Sequence, residues 1–255
     1  ELPIIWKIAK GSLKNKLLFL LPGALLLSEF LPFVITPLLM LGGLFLCYEG
    51  AEKIMEKLGG EKHGATLEDP ISDPAAFEEE RVAGAVRTDL ILSAEIMAIA
   101  LAEIADTPVM ERGLVLALVG VVITAVVYGA VALIVKMDDI GLHLAEKSSV
   151  VAQKVGRGLL LAMPKVLTFL SVVGTGAMLW VGGGIILHGL HEMGVHGPSD
   201  MAHAIQHVVE QASGGAGAVL GWLTYAVASA VVGLVLGAVV ALGLHSGQKL
   251  LGKGH

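Results

Sequence analysis

The chain has 255 residues, of which hydrophobic side chains make up 55% and charged ones only 16%, a balance too apolar for an ordinary soluble domain. A formal net charge of −6 argues against a nucleic-acid partner. The lone cysteine, Cys47, lies in an apolar run and rules out a disulfide framework.

A helix that crosses a hydrocarbon core of about 30 Å needs about 20 mostly apolar residues, and the chain offers several such runs. The first, Leu17–Cys47, is broken only by Glu29. As one straight helix it would be about 46 Å long at 1.5 Å per residue, which is more than a span requires. Pro22, Pro32 and Pro37 interrupt its hydrogen-bond ladder, and Ser28-Glu29-Phe30-Leu31-Pro32 reads as a polar turn. Residues 12–48 are therefore expected to form an apolar hairpin, with one broken span as the alternative. Residues 49–87 follow as an acidic cytoplasmic linker, with Ser72 or Asp73 capping a helix that starts at Pro74. Spans are expected at 88–107 and 113–136, then an interfacial amphipathic segment at 138–157, in which Asp138 and Asp139 serve as caps. A span at 159–190, an external histidine-rich segment at 191–212 and a last span at 213–246 complete one membrane domain over 1–255.

The fold class expected is thus all-α, a polytopic membrane helix bundle of about six apolar elements that opens with a proline-rich hairpin. Lys and Arg mark the cytoplasmic side. They gather before residue 17, in the 49–87 linker, at 136–165 and in the tail, and are absent from 188–214. Both ends of the chain, the C-terminus included, are then cytoplasmic. Glu1 in place of Met predicts further chain upstream. An internal echo also runs through the sequence. Thr36–Gly43, running on to Glu49-Gly50, is similar to Thr175–Gly182, running on to His188-Gly189. Paired Pro/Gly-interrupted apolar segments of this kind point to a transporter's midplane site.

Several strings carry a resemblance. They include Glu1-Leu2-Pro3 with Trp6, Ala9–Lys16, Ile35–Met40 with Gly42-Gly43, and Phe45-Leu46-Cys47 with Glu49-Gly50. Arg87-Thr88-Asp89 leading into Ile91–Ile96, Val135-Lys136 with Asp138-Asp139, Ala145–Ser149, and Val181–Gly184 with His188-Gly189 complete the set. Together these resemble the YedI family of bacterial inner-membrane proteins, whose function is not established. His203-Ala204-Ile205 with His207 resembles the family too, whereas the acidic linker at 61–80 and the Gly/His-rich outer loop depart from it. The resemblance implies a multi-pass inner-membrane protein with a further N-terminal stretch. It implies no reaction or substrate.

Ionisable groups inside a bilayer are costly, so each is a functional candidate. The 88–107 span is richest. Glu95 falls near the midplane, Asp89 with Ser93 toward the inner edge, and Glu103 toward the outer, carboxylates at three depths as a cation or proton path needs. Pairing of Glu95 with Lys165 or His188, or with a backbone carbonyl, is the bland alternative. Glu29 is the one charge of the first stretch and reads as a solvated turn residue. The outer segment carries His188, His191, His196, His203 and His207. With Ser199 as cap, His203, His207 and Glu210 share a helix face, a spacing that suits zinc or another transition metal, or a pH sensor centred on His188. It lacks the H-E-x-x-H signature. Gly182, Gly183 and Gly184 read as a packing face or a hinge, and Gly217/Gly221 and Gly233/Gly237 as packing pairs.

The functional expectation is a transporter or channel for an ion or small solute, working through an intramembrane carboxylate, with Glu95 first in line. The expected partners are the bilayer and that solute, and a homo-oligomer is allowed. No cofactor is expected, zinc being the alternative. The rivals are a lipid-binding or assembly protein and a membrane enzyme with an external His/Glu metal site.

Overall fold

The computed structural model describes residues 2–58, 74–147 and 149–250; at 74, 75, 77, 138 and 245–250 only the backbone is described. No strand occurs among them. Helix α1 (Leu2–Asn15) passes through a π turn (Lys16–Leu20) into α2 (Leu21–Phe30), and a 3-10 turn (Pro32–Val34) leads into α3 (Ile35–Lys57). Then come α4 (Pro74–Glu103), α5 (Val109–Ala145), α6 (Val150–Glu192), α7 (Gly197–Ala212), a 3-10 turn (Gly214–Ala216) and α8 (Gly217–Leu250).

Four helices are long and apolar enough to cross a membrane: Pro32–Lys57, Val109–Ala145, Val150–Glu192 and Gly214–Leu244. They are the physical basis for reading a membrane protein. The expected number of about six is reached only by counting two further helical stretches, Leu2–Phe30 and α4, which carry charged residues in their middles. Exposed apolar side chains run along α5 and α8, among them Leu114, Leu118, Val126, Val231 and Val235. Water would not tolerate such faces and lipid would.

The first break falls where the sequence placed a turn. Leu31 leaves helical geometry at φ −144°, and Pro32 starts the next turn without needing a donor. Residues 49–57 and 74–87 belong to α3 and α4, so the expected linker is helical at both ends. Ser72 and Asp73, its suggested caps, lie outside the described residues. Residues 138–157 do not form one element. α5 continues to Ala145, so Asp139 lies within its last turns, bonded to Lys136 at 2.8 Å rather than capping a new helix. Helix α7 starts at Gly197, ahead of Ser199, because Pro198 fits the first turn. Ser199 is buried inside the helix rather than capping it.

The chain forms two compact units. One comprises residues 1–30 and 67–173, the other 31–66 and 174–255. In the first, α1–α2 and α4 run side by side, and α5 runs opposite to both. Gly11 meets Val86, Gly113 meets Leu25, and Gly120 meets Met97 and Lys16. Met97, Leu101 and Leu116 form its buried centre, with Leu20, Leu21 and Leu25 against them. In the second, the two echoing strings lie antiparallel on one another: Gly43 against Gly182 and Ile185, Gly50 against Leu179, Gly189 against Met40. Helix α8 closes on both, and α7 folds back onto α8 after Gly214, whose φ of +54° suits glycine.

Candidate functional site

Asp89, Ser93, Met97 and Leu101 follow one another at four-residue spacing along α4 and share the face that packs into the first unit. Lower on that face the apolar pattern stops. Ser12 is fully buried, and Lys16 is only 2% exposed although no water-filled surface is near its stem. Gly120 makes the space for that stem, since a Cβ there would sit 3.6 Å from the Lys16 Cβ.

The Lys16 ammonium donates to Asp89 Oδ2 at 2.6 Å and also to the Ser12 hydroxyl. Ser12 in turn donates to the same carboxylate oxygen at 2.5 Å, and Ser93 approaches it at 3.4 Å. From α5 the Tyr128 hydroxyl interacts with Ser12 and Asp89. One carboxylate, one ammonium and three hydroxyls therefore converge from three helices. They lie level with α5 between Gly120 and Tyr128, the middle of its charge-free run Gly113–Val135. A cavity of about 10 Å³, lined by Lys16, Ser93, Ile96, Met97, Gly120 and Ile123 among others, adjoins the ammonium. It is about the size that holds one water. The π turn begins at Lys16 itself, and single π turns within α-helices concentrate at functional positions.

The other carboxylates of the sequence reading are arranged differently. Glu95 is half-buried on another side of α4 and makes no hydrogen bond or ion pair among the described residues, so neither Lys165 nor His188 is its partner. Glu103 is exposed at the end of α4. Glu29 is more than a turn residue: it pairs with Arg112 at 3.3 Å and ties α2 to the start of α5. Of the sequence candidates, the structure brings Asp89 and Ser93 together and leaves Glu95, Glu103 and Glu29 apart from them.

In the second unit the histidines pair locally. His188 faces Glu192 at 3.3 Å, and Glu192 also accepts from Thr36 at 2.5 Å. His203 bonds Gln206 and stacks on Tyr225, and His207 approaches Glu210 at 3.6 Å. His191 and His196 face each other with ring nitrogens 3.1 Å apart. Among the described residues no three His, Cys, Asp or Glu side chains are grouped to hold a metal ion, the expected His203/His207/Glu210 set included. Gly182 and Gly183 lie inside α6, where they admit the backbones of α3 and α8, and Gly184 faces the Ser229 hydroxyl.

Lys16, Ser12 and Tyr128 were missed by the sequence reading. Lys16 stands at the end of a run of lysines and passes for one more cytoplasmic charge. The available signal was Ser12 and Lys16 at i, i+4, which puts a hydroxyl beside the last cation before the apolar run.

A family model described as "Protein of unknown function (DUF808)" matches residues 1–242, nearly the whole chain, and the chain belongs to that family. No curated protein and no solved structure matches it significantly.

Proposed function

We propose that this member of the DUF808 family is a multi-pass protein of the bacterial inner membrane that moves an ion or small solute across the bilayer, using the carboxylates of α4. The carrying observation is the Lys16–Asp89 pair inside an apolar unit. An ion pair held in a low-dielectric interior gives little net stability over apolar residues of the same volume. A charge retained at such a place is better explained by use than by structure. Glu95, half-buried and without a partner, is the second carboxylate of the path. The YedI resemblance supports the inner-membrane location, and the Lys/Arg distribution supports a cytoplasmic C-terminus.

The test is flux in proteoliposomes under imposed Na⁺, K⁺ and H⁺ gradients. Asp89→Asn is expected to lower flux at least tenfold and Glu95→Gln to lower it less, both at unchanged protein insertion. Absence of flux from the unaltered protein under every gradient sinks the reading. Lipid or protein co-purifying at fixed stoichiometry would then favour the lipid-binding or assembly role.

A further inference from the structure

We infer that the Lys16 ammonium is a tethered cation occupying a seat for a small monovalent cation on Asp89, and that binding of that cation releases a proton from Lys16. The inference deepens the transport reading by naming the substrate class, and rests on it for its purpose but not for its test.

The donor set comes first. Asp89 Oδ2 and the hydroxyls of Ser12, Ser93 and Tyr128 are all oxygens, the ligand type that hard cations take. Only one of the four groups carries a charge, so the seat balances a single positive charge rather than two. That charge is supplied now by Lys16 Nζ, 2.6 Å from the carboxylate. The groups facing Lys16 that titrate are Asp89 from α4 and Tyr128 from α5, with Ser12 and Ser93 as neutral hydroxyls.

Room for an exchange comes next. The cavity beside Lys16, bounded by Ser93, Met97 and Gly120, gives the ammonium somewhere to withdraw to. The π turn that starts at Lys16 holds one residue more than an α turn, and passing that surplus along the helix would rotate the side chain. An ammonium displaced from its only carboxylate into an apolar lining loses the interaction that keeps it charged, and desolvation favours the neutral amine. The balance is simple. One N–H bond of Lys16 breaks, its proton passes to water, the cation takes its place against Asp89, and the net charge of the site is unchanged. Cation and proton are thereby exchanged one for one.

The test uses the purified full-length chain in detergent, weakly buffered, with NaCl replacing choline chloride at constant ionic strength. Release of about one proton per chain, saturating with Na⁺, is expected from the unaltered protein. Lys16→Met should release none yet bind ²²Na⁺ at least as tightly, while Asp89→Asn should lose both signals. Lys16→Arg keeps the charge and cannot shed its proton, so it should weaken ²²Na⁺ binding at least tenfold. It serves if the methionine variant fails to fold. No proton release with Na⁺, Li⁺ or K⁺, or release undiminished in Lys16→Arg, overturns the inference. Flux without cation-linked proton release would leave the transport reading standing and remove this one. Proton release without flux would do the reverse.

Discussion

The two units solve the problem of packing helices in an apolar setting by opposite means. In the first, α1, α4 and α5 meet around a buried ion pair and its hydroxyls. In the second, α3, α6 and α8 meet through glycines, and the one buried polar side chain atom without a partner among the described residues is the Ser229 hydroxyl. Lipid tails are as apolar as the helices, so burial of apolar surface cannot drive association. Close backbone approach and polar contacts must do it. The second unit relies on approach: Gly183 takes the Ser229 carbonyl, Gly233 that of Leu179 and Gly237 that of Cys47. The first unit relies on polarity and keeps a cavity beside it. A unit packed backbone to backbone has little freedom to rearrange, and a polar cluster beside a void has some. The chemistry therefore belongs to the first unit and the rigid seam to the second.

This contrast can be broken most severely at Lys16. Lys16→Ala leaves Asp89 buried and unpaired, and should destabilise the protein by about 3–5 kcal/mol in thermal or denaturant unfolding. Lys16→Met combined with Asp89→Leu should recover most of that stability while flux stays lost. A double variant no more stable than the singles would show that the hydroxyls, not the pair, hold the three helices together. Next in size, Gly183→Ala drives a methyl into the α8 backbone and should cost about 1–3 kcal/mol or more. Gly129→Ala in α5, which meets nothing, is the control and should gain up to about 1 kcal/mol. Equal melting temperatures for the two variants would contradict the tight seam. The smallest effect is expected at Ser229→Ala, which removes an unsatisfied hydroxyl and should be neutral or stabilising by about 1 kcal/mol. A clear loss of stability there would mean that the hydroxyl has a partner after all.

Residue by residue, the limits of sequence reading follow the range of the forces involved. The break at Leu31-Pro32 was legible because proline acts within one turn. The glycine pairs of α8 were legible because small residues at four-residue spacing lie on one face, although not what they face: Gly217 and Gly221 meet Glu210 and Gln206 of α7, Gly233 and Gly237 meet α6 and α3. Asp89 and Ser93 were placed on one side of α4 by the helical period. Their rank below Glu95 came from measuring depth from Arg87, whereas α4 starts at Pro74 and puts Asp89 at its midpoint. The internal echo was visible as well, and its two strings lie against each other within the second unit. Lys16 was illegible as a site residue, because nothing local separates a buried lysine from the surface lysines that precede it.

By itself, then, the sequence determined the helical class, the membrane-length apolar runs and the faces on which carboxylates and glycines lie, since these depend on composition and on a fixed helical period. Only the tertiary structure decided which charge is buried and what it meets. Lys16, Ser12, Asp89 and Tyr128 are up to 116 positions apart in the chain. What joins them is the packing of three helices around Gly120, and no period along a single helix records that.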